Sequence, residues 1–144
     1  MIMAPPVATI DALNELLHAE LGSVFRFLGD SSPYLNHAAA AIRRPLLEMA
    51  EKCHARCHEL HDLIENLDGN PRVAGLHPEE QYLAYLSLKF LLPKLVDAKK
   101  LTVRRYESTI NVAAGASAPI DELLKRHLSE NHSELAILEK AASE

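Results

Sequence analysis

The residue types that do chemistry are concentrated in one stretch of this 144-residue chain. Between Leu46 and Gly69 lie Glu51, Cys53, His54, Arg56, Cys57, His58 and His61. The pattern predicts one long helix here, ended by the turn-forming run Asp68-Gly69-Asn70-Pro71. Glu51 and His54 stand three residues apart, so on a helix they share a face and can hold one metal ion between them. His54 and His58 stand four apart, a spacing that suits Zn²⁺ or Ni²⁺. The plainer expectation for both pairs is a polar helix flank facing solvent or a neighbouring subunit. Cys53 and Cys57 read as small buried residues, because Cβ directions one turn apart on a helix disfavour a mutual disulfide. Cys53 next to Arg56 would become a reactive thiol if the guanidinium lowered its pKa.

Helix phase sorts these side chains. Leu46, Met49, Cys53, Cys57, Leu60, Ile64 and Leu67 form an apolar stripe at three- and four-residue spacing. Arg56 falls on one border of the stripe, and His54 and His61 fall on the other. Glu51 and His58 point further out. A groove near Cys53 would suit a small-molecule or regulatory ligand.

Three further helices are needed to position this one. The first is expected from Thr9 or Asp11, as caps, to about Gly29, with Ile10, Leu13, Leu17, Leu21, Val24 and Leu28 along one face. Glu20 is the one acid inside that face. Residues 1–8 read as a tail. The second helix starts near Asn36 and adjusts at Pro45. A loop over 68–80 precedes a helical piece from Glu79 to about Leu92, and Pro93 kinks or restarts the chain as the third main helix, to about Ala114. Its inner face carries Lys99 among Leu95, Thr102, Tyr106 and Ala113. Pro119 suits the first turn of the fourth helix, which runs to about Ala142. That helix points Leu124, Leu128, Asn131, Leu135 and Leu138 inward, with Glu134 at the border. His127 and His132 are expected at the surface or in a groove. Tyr34, Tyr82 and Tyr85 read as packing residues. Two short connections and one long one with its own short helix give an all-α four-helix bundle in which helices two and three run parallel.

Composition bounds the function. Apolar residues make up 48%, with five Gly and no Trp, which is a helical composition for a single domain, residues 1–144. The net charge of −5 comes with scattered basic residues, which argues against nucleic acid or an anionic membrane as partner. The N-terminus has no basic segment leading an apolar run, and no window is apolar for a transmembrane length. Two cysteines make no disulfide framework, so a cytoplasmic location is expected.

With the helices placed, the chain resembles the ferritin-like superfamily, in its bacterioferritin and rubrerythrin branch. Leu13-Asn14-Glu15-Leu16-Leu17-His18-Ala19-Glu20-Leu21 is similar to the family's first helix, and Glu59-Leu60 through Leu67-Asp68-Gly69-Asn70-Pro71 to the end of its second. The resemblance implies a di-iron centre built from Glu, Glu-x-x-His, Glu and Glu-x-x-His on four successive helices. Carried over position by position, Glu20 matches the first ligand. Counting back from Gly69 puts Cys53 and Arg56, not Glu and His, on the second pair. Glu51-x-x-His54 lies two residues out of register, about 200° around the helix. Lys99 takes the third-helix position, and Asn131 and Glu134 take the fourth pair.

The resemblance therefore implies a degenerate di-iron site. Its interior polar set is Glu20, Cys53, Arg56, Lys99, Tyr106, Asn131 and Glu134, with Tyr106 donating to Glu20 or Glu134. Two acids face two bases, so the set is neutral without metal or other cofactor. The expected function is a non-catalytic structural or interaction protein with an unknown protein partner. Homodimerisation is expected along the first two helices through Phe25, Phe27, Tyr34 and Leu47. The alternative is a metal-binding protein, holding iron or zinc through Glu20, Glu51, His54, His132 and Glu134. Any activity would then be that of a di-iron oxidase or ferroxidase.

Overall fold

The structure, a computed structural model, describes residues 7–23, 25, 40–72 and 88–143. Four helices account for nearly all of them: α1 Val7–Leu21, α2 Ala40–Asn66, α3 Leu88–Val112 and α4 Ala118–Ser143. Helix α1 packs on α2 and α3, and α4 packs on α3 and α2. The architecture is an all-α four-helix bundle. No helix among the described residues is long and apolar enough to cross a membrane.

Chain direction follows from which residues share a core. One apolar cluster joins Phe25, Ile42, Leu46, Met49, Leu91, Leu95 and Leu138. The other joins Leu13, Leu17, Leu60, Ile64, Tyr106, Ile120 and Leu124. Helices α2 and α3 both run from the first cluster to the second, so they are parallel. Helices α1 and α4 run the other way. The long connection between α2 and α3 makes this possible, because a short loop joins only antiparallel neighbours. Each helix also carries a buried charged or amide side chain between the two clusters: Glu20, Arg56, Lys99, and Asn131 with Glu134. The bundle is thus ionic in the middle, with an apolar cluster on either side.

The helix ends have local causes. Asp68 sits at φ 62° in the left-handed region, its amide donates to the Glu65 carbonyl at 3.0 Å, and the Gly69 amide donates to Ile64 at 2.9 Å. This is the Schellman arrangement that satisfies the last carbonyls of a helix. Glycine falls one residue past the left-handed position for a steric reason. A Cβ on Gly69 would stand 2.7 Å from Ile10 Cγ2 and 2.9 Å from Ile64 Cγ2. Asn14, buried on α1, clamps the turn: its side chain donates to the Asn70 carbonyl at 3.1 Å and accepts from the Arg72 amide at 2.9 Å. At the other loop, the Ser117 hydroxyl accepts from the Ile120 amide at 3.4 Å, and Pro119 occupies the first turn of α4, where no amide is needed.

Three boundaries differ from expectation. Helix α1 begins at Val7, so Thr9 is an interior helical residue, 1% exposed, and not the cap. It ends at Leu21 rather than near Gly29, with Gly22 and Ser23 outside the helix and Phe25 helical again. Residues 26–39 lie outside the described part, as does most of the short helix expected at 79–92. Pro93 does not restart α3, which passes through it from Leu88. The ring removes one amide donor, but Leu91 and Leu92 just upstream are buried in the first core cluster, and that packing holds the extra turn.

Candidate functional site

The middle of the bundle is built around Arg56. Its side chain is fully buried on α2 and faces carboxylates from two other helices. Nε donates to Glu20 Oε2 on α1 at 2.6 Å. Nη1 donates to Glu134 Oε2 at 2.8 Å and to Glu130 Oε1 at 3.2 Å, and Nη2 donates to Glu134 Oε1 at 3.3 Å, all on α4. The planar guanidinium is suited to this fork, and a lysine is not. Lys99, 1% exposed on α3, donates to Glu134 Oε1 at 2.8 Å and to Asn131 Oδ1 at 3.0 Å. Its ammonium also lies 4.1 Å from the centre of the Phe25 ring, a cation–π contact. Asn131 completes its own bonding through Nδ2 to the His127 carbonyl at 2.9 Å.

Electrostatics follow from this pairing. Burial alone would lower the Arg56 pKa, but the charges of Glu20 and Glu134 outweigh it and hold the guanidinium well above its usual range. Burial pushes the Glu134 carboxyl up, yet the opposing charges of Lys99 and Arg56 are stronger, so it stays below the usual carboxylate value. Arg56 and Glu134 thus each hold the other in its charged form.

A second chain of polar groups leads outward. Tyr106 Oη lies 3.2 Å from Glu20 Oε2 and 3.1 Å from His127 Nδ1, and His127 Nε2 lies 3.2 Å from Glu59 Oε1. Arg126 grips Glu59 through both terminal nitrogens, and this hydrogen bonding lowers the Glu59 pKa. Burial pushes the Tyr106 hydroxyl well above its usual pKa, and the Glu20 charge adds to that. Burial also lowers the His127 pKa, against the pull of Glu59, so the ring is neutral near pH 7. A neutral ring has one N–H, which it gives either to Tyr106 or to Glu59.

The structure brings Glu20, Arg56, Lys99, Tyr106, Asn131 and Glu134 together. Cys53 joins them through a bond from Sγ to the Glu20 carbonyl at 3.4 Å. Its thiol is raised well above the ordinary value by its hydrogen bond with Cys57, by burial and by the Glu20 charge, so it is not a reactive thiolate. Both cysteines are free. The other metal set does not converge: Glu51, His54 and His132 are exposed, whereas Glu20 and Glu134 are buried. Phe25, expected on a dimer face, is a core residue, 1% exposed. Leu47 is partly buried against the same core, and Phe27 and Tyr34 lie outside the described residues.

His127 is the largest departure from expectation. It is fully buried, not on the surface. The signal was its phase: Ile120, Leu124, His127, Asn131, Glu134 and Leu138 follow one another at four and three, a single inward stripe. Glu59 and Glu130, which rim the cluster, carry no comparable signal in the sequence.

Neither a family model nor a curated protein matches the sequence. Solved structures do match in fold. The bacterioferritin of Rhodobacter capsulatus, in a structure with a metal-free dinuclear site and haem iron, superposes at a TM-score of 0.79 with 14% identity, over 98% of this chain and 87% of that one. A Desulfovibrio desulfuricans bacterioferritin with a diiron site superposes at 0.69 with 16% identity, over 94% of this chain and 78% of the other. The chain has the ferritin-like fold.

The buried side chains differ in type from those of a dinuclear iron centre. Such a centre takes four carboxylates and two imidazoles around two cations. Here the cluster offers Glu20 and Glu134, each bonded to a fixed cation, and the space between them holds a guanidinium and an ammonium. His127 turns its nitrogens to Tyr106 and Glu59.

Proposed function

We propose that this chain is a single-domain ferritin-like bundle whose di-iron centre is replaced by a buried ion-pair network, and that it acts as a structural or interaction protein without iron chemistry. The observation that carries this reading is the fully buried Arg56 held between Glu20 and Glu134. A guanidinium cannot be deprotonated to make room for a metal, and a second cation would meet it and Lys99 at contact distance. The network supplies internally the positive charge that two metal ions supply in a carboxylate-rich bundle.

The test is iron per chain, measured after exhaustive desalting of untagged protein expressed with excess iron. Retention of no iron is expected. About two irons per chain with the optical band of an oxo-bridge would overturn the proposal. The same reading places the protein in the cytoplasm as a homo-oligomer, in the simplest case a dimer paired along α1 and α2. Light scattering on the purified chain checks the dimer: a monomer at micromolar concentration refutes it.

A further inference from the structure

The outer side of α2 carries a second concentration of ligating side chains, separate from the buried cluster. Two adjacent i,i+4 rows run down the helix. One is His54, His58 and Asp62, and the other is Cys57, His61 and Glu65. Each of the six positions holds a residue type that ligates metals. Five of them line one groove of about 340 Å³, whose far wall is Leu17 and Leu21 of α1. A polar helix flank has no need of imidazoles at three positions, since Lys, Glu and Gln are better helix formers there.

The lower end of this groove is already arranged. His61 Nδ1 lies 2.9 Å from Glu65 Oε1 and 3.6 Å from Asp62 Oδ1. One ligand atom from each of the three lies within 4.8 Å of the other two. Ligand atoms about 2.1 Å from one cation stand roughly 3–4 Å apart, so small side-chain adjustments close the set. His58 lines the same groove, one turn before Asp62 and three residues before His61, on the helix face they share.

We infer that this groove is a binding site for a borderline divalent cation of the Zn²⁺, Ni²⁺ or Co²⁺ class, held by His61, Asp62 and Glu65 with His58 as the second imidazole. Mixed imidazole and carboxylate ligands favour these ions over Ca²⁺ and Mg²⁺, which prefer all-oxygen shells. Cys57 is not in the set, because the residue is buried and its thiol is hydrogen-bonded to Cys53. The site is independent of the buried network: it uses the opposite side of α2 and none of Glu20, Arg56, Lys99 or Glu134.

The test uses the untagged, chelator-stripped full chain in equilibrium dialysis against micromolar ZnCl₂. About one ion per chain is expected, not displaced by tenfold excess Ca²⁺, with His61→Ala and Glu65→Gln each weakening binding by about tenfold or more. These side chains are 44% and 56% exposed, so the variants keep the core, and unchanged helical circular dichroism verifies it. Co²⁺ gives a second readout, a visible d–d spectrum that His58→Ala shifts. Absence of Zn²⁺ binding at these concentrations, displacement by Ca²⁺, or full binding by the His61→Ala/Glu65→Gln double variant would overturn the inference. Iron content under the earlier test is read separately, so failure here leaves the buried-network proposal standing.

Discussion

Replacing Arg56 by methionine keeps much of the side-chain volume and removes the cation at the centre of the bundle. Glu134 keeps Lys99 at 2.8 Å, but Glu20 keeps only the Tyr106 hydroxyl among the bonds described. Glu20 is 2% exposed, so it becomes a buried carboxylate without a counter-charge. Removing one partner of a buried ion pair costs about 3–5 kcal/mol. That is a large part of the roughly 5–15 kcal/mol that stabilises a typical domain. The companion variant is Glu20→Met/Arg56→Met, which removes the stranded acid as well and leaves Lys99 paired with Glu134. Replacing both members by apolar residues is neutral or stabilising by about 1–4 kcal/mol. The double variant should therefore be more stable than the single one. Urea unfolding followed by circular dichroism measures this, with an unchanged m value expected in all three proteins. The reasoning fails if Arg56→Met costs less than about 1 kcal/mol, or if the double variant is no more stable than the single.

Other outcomes follow from the same geometry. Stability should fall with acid in two phases. The His127 pKa is depressed below its ordinary 6.5, so the unfolded chain takes up that proton first, and stability is complete above 6.5 and declines as pH falls below it. The Glu134 pKa lies below its ordinary 4.5, so its contribution is complete above 4.5 and is lost as pH falls through the lowered folded value. Urea midpoints at pH 8, 6 and 4 check both, and His127→Gln should flatten the first phase. Gly69→Ala should cost about 1–3 kcal/mol by forcing a methyl against Ile10 and Ile64, read as a lower urea midpoint. Cys53 should resist maleimide in the native protein and react fully in urea; fast native labelling would contradict its burial and raised pKa.

The fold was legible because its signals are periodic and redundant. Leu46 through Leu67 repeat one face often enough that a single polar intruder, Arg56, does not hide the helix. The charged interior was legible for a related reason: Glu20, Lys99 and Arg56 sit in or beside stripes that are otherwise apolar. His127 was not, because a lone histidine near acids looks the same on either side of a helix border until the stripe is followed from Ile120 to Leu138. The start of α1 was missed because Thr9 is a good cap residue, and a buried threonine inside a helix has the same sequence signature. Phe25 was misplaced because its pairing with Lys99 follows the break at Gly22 and Ser23, which the helical periodicity of α1 does not show.

The spans of the central bonds bear on how the helices find their alignment. Arg56 to Glu20 spans 36 residues, Arg56 to Glu134 spans 78, and Lys99 to Asn131 spans 32. None can form within one helix, so none biases an isolated segment. Apolar ridges alone tolerate a slide of four residues, about 6 Å, because leucine replaces leucine. The ionic middle does not. Sliding α4 one turn in one direction sets Leu138 against Arg56, and sliding it in the other sets His127 against Lys99. Either way a buried charge loses its partner. The network therefore acts as a vernier on the bundle, selecting one alignment among several that grease alone would allow.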